Sequence, residues 1–483
     1  MPLLSDYPQL KIIQDIAKRR KVPIYLVGGF LRDFLLGEVK NDFDFAVKNN
    51  ALHVARIFSK EIKGAYVLLD EARGCARVAK NIGDRLYTFD FADFREKTFD
   101  KDLAHRDFTI NTLSIDLSKV DQKTEIPDVL IDRKSGLKDI KSKRIKRVSA
   151  AAFKEDPLRM MRAFSLKAML DFTIESKTLN QIRKEKDLIC HVSYERIRDE
   201  LFKILETDKS ASVVKSMDRA GLLEQIIPQV KVMFGCRQGT YHHLDVWPHS
   251  METVVQLEKI FNELKGNSEI ESYLKETLGG NRSRRALVKL AALLHDIGKP
   301  DTRRKEKGRT SFHGHEHAGK AIVKNIARTL KLSVREGHAL EDMVRWHLRP
   351  GYLSNFKQPT EKAIYRYFRD TKEESVSTVL LSLADQRATR GPATTPKDQK
   401  HHEEICLDLI QRCFLKKQEK PFRRFINGDD LIRQLRLKSS PVFGKILAEV
   451  EERQMLGKLK SKKEAIECAK AIAAKIRQSK AGQ

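Results

Sequence analysis

Along the first third of the chain, apolar and polar positions switch between two periods. Residues 24–27, Ile-Tyr-Leu-Val, form a short apolar run that stops at Gly28-Gly29, which predicts a buried strand entering a tight turn. Leu31, Phe34 and Leu35 then recur at helical spacing, and Gly37 ends that helix. In the next run, Asp42–Val47, side chains alternate: Asp42, Asp44 and Ala46 share one strand face while Phe43, Phe45 and Val47 share the other. Val54, Ile57, Phe58 and Ile62 make a helical stripe, and residues 65–69 and 86–91 read as further strands. In the last of these, Tyr87, Phe89 and Phe91 face one way and Asp90 the other. From Gly136 the remainder reads as wholly helical, including residues 194–205 with Ser193 as cap and the apolar stripe Ile197, Leu201, Ile204 and Leu205. The chain is therefore expected to be an α+β multidomain protein, with an N-terminal mixed sheet followed by all-α segments. No internal repeat or low-complexity block is visible.

Two carboxylates on one strand face, backed by an apolar face, are costly unless something neutralises them. A divalent metal is the obvious candidate, because hard cations prefer carboxylate oxygens. Gly28 and Gly29 would let backbone N–H groups approach a phosphate at the start of the helix. Two further stretches carry charge in a pattern: His105-Arg106-Asp107-Phe108-Thr109-Ile110-Asn111 and Glu155-Asp156-Pro157-Leu158-Arg159. Arg106 suits bidentate phosphate contacts, and Asp107 would equally serve as the N-cap of a following helix. Asp156 and Arg159, three apart, would share a helix face, although Asp before Pro is also an ordinary helix start. A second set opens at His242 and supplies His249, then His295-Asp296 at the end of an apolar helix, then Asp385. Adjacent His and Asp at a helix end can reach one ion that a distant His and Asp complete. His315 and His347 stand between these positions, with His313 and His317 read as loop residues.

With 93 Lys and Arg against 66 Asp and Glu in 483 residues, the formal net charge is +27, which favours a polyanionic partner. Six cysteines are scattered with no C-x-x-C pair, an arrangement expected of a reducing cytosol and not of a structural zinc site. No apolar run approaches the roughly 18 residues of a membrane span. The start, MPLLSDYPQL, lacks a basic lead and a long apolar core, so no signal peptide is expected.

Gly28-Gly29-x-x-Arg32-Asp33, the Asp42-x-Asp44 strand, Arg106-Asp107-Phe108-Thr109-Ile110-Asn111 and Glu155-Asp156-x-x-Arg159 together resemble the tRNA nucleotidyltransferase and bacterial poly(A) polymerase family. The family's first Arg in its RRDFTIN motif is His105 here. The order His249, His295-Asp296, Asp385 resembles the HD metal-dependent phosphohydrolase domain, and residues 425–454, FINGDDLIRQLRLKSSPVFGKILAEVEERQ, resemble the family's C-terminal tail. The resemblance implies a nucleotidyltransferase head over 1–147 and a helical neck over 148–225. It further implies an HD domain over 226–400 and a basic helical tail over 401–483. It implies template-independent addition of cytidine and/or adenosine, from CTP and ATP, to the 3′ end of tRNA, in the cytoplasm. Asp42 and Asp44, with Asp90 as third carboxylate, would hold Mg²⁺ and carry catalysis. Gly28, Gly29, Arg32, Asp33, Arg106 and Asp107 would hold the nucleotide triphosphate, and Asp156 and Arg159 would select the base. His249, His295, Asp296 and Asp385 would hold a transition metal. Two alternatives share these motifs: a poly(A) polymerase acting on other RNA 3′ ends, and an HD phosphohydrolase whose head only binds RNA.

Between Arg95 and Arg106 only EKTFDKDLAH intervenes. Members of the family that add all of CCA hold a longer flexible loop here, and those that add only the two cytidines lack it. On that pattern a CC-adding enzyme is expected, with little slack for a lever that would switch the pocket from C to A; the alternatives are a lever elsewhere in the chain or a short loop that suffices.

Overall fold

The computed structural model describes residues 7–38, 40–120, 125–239, 243–306, 309–392, 394–418, 422–436 and 440–481. It divides into two compact units, Met1–Pro228 and Gln229–Gln483. His242, where the second motif set opens, lies outside the described residues.

The first unit is built on a six-stranded mixed sheet: β1 (Ile24–Val27), β2 (Asp42–Val47), β3 (Ala65–Asp70), β4 (Cys75–Ile82), β5 (Arg85–Asp93) and β6 (Ser114–Asp116). Their order across the sheet is β3-β4-β5-β2-β1-β6. β2 runs parallel to β5, with Asp42 opposite Thr88 and Asp44 opposite Asp90, so the three head carboxylates share a sheet face. On the other face Phe43 stacks on Phe89 at 5.2 Å and Phe45 on Phe91 at 4.9 Å, between ring centroids. Phe58 of the helix Ala51–Ile62 closes over Phe89 and Phe91. All five rings are buried, each contributing roughly 1.5–3 kcal/mol relative to exposure. That packing fixes the register, because a one-residue slip would bury the carboxylates and expose the rings. Sequence patterning did not foresee β4, whose inward positions are only Ala76 and Val78, or the three-residue β6.

The expectation of a wholly helical remainder is corrected in three places. Arg144–Ile145 pairs in parallel with Thr173–Ile174, each strand following a left-handed residue, Lys143 or Asp171. Two further two-stranded sheets, Thr277–Gly279 with Arg282–Ser283 and Arg304–Glu306 with Arg309–Ser311, lie in the second unit. Strands of two or three residues are too short to impose a period of two on the sequence. The neck helix Tyr194–Leu205 begins after Ser193 as expected, though without a side-chain cap hydrogen bond, and buries Ile197, Leu201, Ile204 and Leu205. In the second unit, Gly428–Leu435, Val442–Met455 and Lys462–Ala481 pack around Leu431, Ile446, Val450, Ala465 and Ala469. The tail's apolar stripe thus feeds its own small core and turns its lysines outward. Among the described residues no helix is long and apolar enough to cross a membrane.

Candidate functional site

Gly28 ends β1 with φ +88°, a left-handed conformation that Gly adopts without strain. A Cβ there would stand 2.8 Å from Asp44 Oδ2, so the turn and the second carboxylate of β2 are in direct apposition. They open on a cavity of about 440 Å³ lined by Gly28, Gly29, Arg32, Asp44, Arg106 and Asp107 from the head and by Asp156, Arg159, Arg162 and Arg196 from the neck. Asp44 faces this opening yet is crowded by protein, and that crowding raises its carboxyl, with Asp90 and Asp42 adding to the effect and Arg106 and Arg162 opposing it. A cation would relieve this strain among three like charges. Asp42 accepts from Thr88 Oγ1. Asp90 accepts a bidentate pair from Arg77, Nε and Nη2 each at 2.7 Å.

Behind the cavity runs a buried polar chain. Lys40 reaches Asp33 at 2.7 Å, and Arg32 donates to Asp33 at 2.7 Å and to Asn111 Oδ1 at 2.5 Å. Asn111 donates to Asp107 at 3.0 Å. Asp107 Oδ1 also accepts the Phe108 N–H at 2.7 Å, while Arg162 gives Nε and Nη2 to Oδ2 at 2.9 and 2.8 Å. All four lone-pair positions of this carboxylate are thereby occupied. Burial alone would push Asp107 up, but Arg162 and Asn111 outweigh it and hold the carboxyl down at about 2. Asp107 does not cap the following turn, which spans Thr109–Asn111 after Phe108. It ties head to neck.

Asp156 and Arg159 do not share a helix, contrary to the expectation. Pro157 keeps Asp156 extended, with φ −149° and ψ 99°, and the next helix, Arg159–Leu170, starts only at Arg159. Both nevertheless line the cavity. Asp156 accepts from the Leu158 N–H at 3.2 Å and from Arg196 at 2.9 Å. Arg159, 5% exposed, donates to the Ala152 carbonyl at 3.1 Å, to Glu155 at 3.4 Å and to the His105 carbonyl.

In the second unit, helices Val246–Glu263, Arg284–Leu294, His315–Thr329, Val334–Trp346 and Ser375–Ala388 bring six buried or nearly buried groups together. His249 Nε2 lies 2.9 Å from Asp385 and 3.6 Å from Asp296 Oδ2. His295 Nε2 lies 3.1 Å from Asp296 Oδ2 and 3.6 Å from Asp385. On the other oxygen, Asp296 Oδ1, stand His315 Nε2 at 3.3 Å and His347 Nε2 at 3.8 Å. Three of the imidazoles are oriented alike: Nδ1 of His295, His315 and His347 lies 2.8–2.9 Å from the carbonyls of Ala292, Phe312 and Val344. A proton on Nδ1 satisfies those carbonyls and leaves each Nε2 lone pair aimed inward, the arrangement that metal-binding histidines use. Imidazole and carboxylate atoms of three overlapping triads lie within 4.8 Å of one another, a donor set that fits a transition-metal ion. His313 and His317 are exposed, outside this cluster, and His317 lies in the first turn of the helix His315–Thr329, not in a loop.

Four family descriptions match successive stretches: the Poly A polymerase head domain over 24–146, the RNA and SrmB- binding site of polymerase A over 171–234, the HD domain over 246–390, and tRNA nucleotidyltransferase domain 2 over 421–469. An A-adding tRNA nucleotidyltransferase of Deinococcus radiodurans is 30% identical over 450 residues, covering 91% of this chain and 93% of its own. The chain belongs to the tRNA nucleotidyltransferase family. A CC-adding tRNA nucleotidyltransferase of Thermus thermophilus is 28% identical over 448 residues, covering 91% of each chain. Another, of Geobacter sulfurreducens, is 33% identical over 295 residues, covering 61% of this chain and 64% of its own. In fold, a CCA-adding enzyme in complex with ATP matches with a TM-score of 0.63 at 21% identity, over 95% of this chain and 93% of that one. A Thermotoga maritima CCA-adding enzyme complexed with tRNA matches with a TM-score of 0.61 at 21% identity, over 99% and 100%.

Sequence reasoning on this nucleotidyltransferase passed over Arg162 and Arg196 and gave Asn111 no role of its own, although the cavity brings all three beside the other motif residues. Arg162 follows Arg159 by three and so lies on the same helix face, a signal that was present. Arg196, forty positions from its partner Asp156, left none. Arg77 was equally silent, because only strand pairing sets it against Asp90.

Proposed function

We propose that this chain adds nucleotides, without a template, to the 3′ end of tRNA, and that it is of the CC-adding type. The observation that carries the first part is the single cavity on which Gly28, Gly29, Arg32, Arg106, Asp44, Asp156 and Arg159 converge. Gly28, Gly29, Arg32 and Arg106 would hold the triphosphate of CTP or ATP, with Asp33 and Asp107 steadying Arg32 and the neck. Asp42 and Asp44, beside Asp90, would hold Mg²⁺, which when bound supplies activation of the RNA 3′-hydroxyl and neutralisation of pyrophosphate. Asp156 would accept from the exocyclic amine of cytosine or adenine, and Arg159 would donate to the ring acceptors; guanine and uracil present the opposite polarity on that edge. The basic excess and the lysine-bearing tail would engage RNA phosphates. The chain would divide into head 1–147, neck 148–225, HD domain 226–400 and tail 401–483; the matched stretches 24–146, 246–390 and 421–469 support the head, HD domain and tail, while the stretch 171–234 runs past the neck's end. Among the described residues no disulfide joins the six cysteines, which suits a reducing cytoplasm.

The CC-adding assignment rests on residues 96–105. Thr98 caps the short helix Phe99–Asp102, Asp102 accepts the Arg95 N–H at 2.8 Å, and Leu103 is fully buried. Phe99 stacks on Tyr25 at 3.7 Å. A segment so pinned offers no mobile lever to retune the pocket for a second base. Incubating the protein with tRNA that ends at the discriminator nucleotide, with CTP and ATP supplied singly and together, tests both parts. Growth by two cytidines and then a stop is the expected result. Addition of adenosine to a CC-ending primer refutes the CC-only part, a single A on such a primer being the outcome for an A-adding enzyme, and long A tails on unstructured RNA would mark a poly(A) polymerase.

The His/Asp cluster favours a second activity, metal-dependent hydrolysis of phosphate esters, 2′,3′-cyclic phosphates among them. His249, His295, Asp296 and Asp385 would hold one transition-metal ion. His315 and His347 stand against the other oxygen of Asp296 and would hold a second. Absence of phosphatase activity across Ni²⁺, Mn²⁺, Co²⁺ and Mg²⁺ would make the domain structural.

A further inference from the structure

His105 stands where the family's motif has an arginine, and the structure gives it contacts on both sides of the base-selecting pair. Its ring is held between two carboxylates: Nδ1 is 3.1 Å from Glu155 Oε1 and Nε2 is 3.4 Å from Glu96 Oε1. Its main-chain carbonyl accepts from Arg159 Nη2 and, at 3.3 Å, from Arg95 Nη1. Glu155 in turn precedes Asp156 and accepts from Arg159 at 3.4 Å. One residue thus joins the start of the 96–105 segment, through Glu96, to both flanks of the pair, through Glu155 and Arg159. The segment itself is anchored in the head core by Phe99 and Leu103, so a clasp at His105 transfers that rigidity to the neck motif.

We propose that His105 is a specificity-determining positioning residue, which clasps Glu155 and Arg159 to the 96–105 segment and so locks the Asp156/Arg159 pair in the geometry that reads cytosine. The proposal rests on the nucleotide-adding reading above and adds to it the cause of single-base choice. Cytosine and adenine differ in size and in the position of their amine, so a pair that cannot shift accepts one and penalises the other. Loosening the clasp lets the pair relax towards the larger base. The carbonyl contact to Arg159 survives any substitution of the side chain, which confines the effect to the ring and its two carboxylates.

The test measures kcat/KM for CTP and for ATP on tRNA primers ending at the discriminator and after CC, in the wild type and in His105→Ala, Glu155→Gln, the double variant and His105→Arg. In His105→Ala the CTP-to-ATP ratio should narrow about tenfold, the value of one hydrogen bond to a charged group, and the change should come from faster use of ATP. Damage to the fold slows both nucleotides and cannot produce that gain. Glu155→Gln should act in the same direction, the double variant should add little to either single one, and His105→Arg, which can reach the same carboxylates, should restore the ratio. Should His105→Ala fail to fold, Glu155→Gln reads the same clasp from the other side. A ratio within about twofold of wild type in the folded single variants, or equal loss with both nucleotides, overturns the proposal. The CC-only reading is judged separately, on the wild type alone: adenosine added to the CC primer by the wild type refutes it, whereas the clasp is read from the change between wild type and variant.

Discussion

Replacing Asp107 with Asn keeps the shape of the side chain and removes the charge that four donors share. At neutral pH the carboxyl is held at about 2 against an ordinary 3.8, a difference of about two units. At about 1.36 kcal/mol per unit this is close to 2.4 kcal/mol of stability. Asp107 is only 8% exposed, so solvent screens little of it. Asn also turns an N–H toward one of the four donors, so the expected loss is between about 2 and 3 kcal/mol. The sign with pH is definite. A carboxyl depressed in the folded state stabilises fully above its unfolded value, near 3.8, and loses that contribution as pH falls toward 2. By pH 3 about half of it should be gone. Both tryptophans, Trp247 and Trp346, lie in the second unit, so fluorescence would miss the change. Hydrogen exchange of the amides at 107–112 and 159–165 would report it. A difference under about 0.5 kcal/mol at pH 7, or one that grows on acidification, refutes the argument.

Three further outcomes are expected. Gly28→Ala places a methyl 2.8 Å from Asp44 Oδ2 at a left-handed φ of +88°; nucleotide addition should fall at least about a hundredfold, with CTP affinity in equilibrium dialysis reduced as well. Asp42→Ala or Asp44→Ala should each cost roughly three decades in the rate of addition while tRNA binding in a filter assay stays near wild type; addition within tenfold of wild type in either would remove the metal-holding role. Loaded with Mn²⁺ or Ni²⁺ and desalted, the chain should retain about two ions by elemental analysis, and Asp296→Ala should retain few of them, whereas equal retention in both would place the metal elsewhere.

Legibility followed the range of the interaction. The β2 face could be read because alternation is local: Phe43 and Phe45 must go to the core, so Asp42 and Asp44 must go to the opposite face of the sheet. His295-Asp296 could be read because an apolar helix ends beside them. The short strands of the neck and second unit could not, since two or three residues carry no period. The shared helix face expected of Asp156 and Arg159 failed for a reason visible at Pro157, whose ring disfavours helix at the residue before it.

What the sequence by itself determined is therefore the inventory of chemistry: which carboxylates, imidazoles and guanidiniums are present and which local element carries each. Tertiary structure decided their partners. It set Asp107 against Arg162, Asp90 against Arg77 and Asp156 against Arg196. It also gave each oxygen of Asp296 its own pair of histidines, and placed His105 between Glu96 and Glu155. The physical reason is that side-chain periodicity constrains only neighbours within a turn or a strand. A partner tens of residues away is chosen by how whole elements pack, and it is those distant pairings that fix which groups stay open to substrate and which are spent holding the site together.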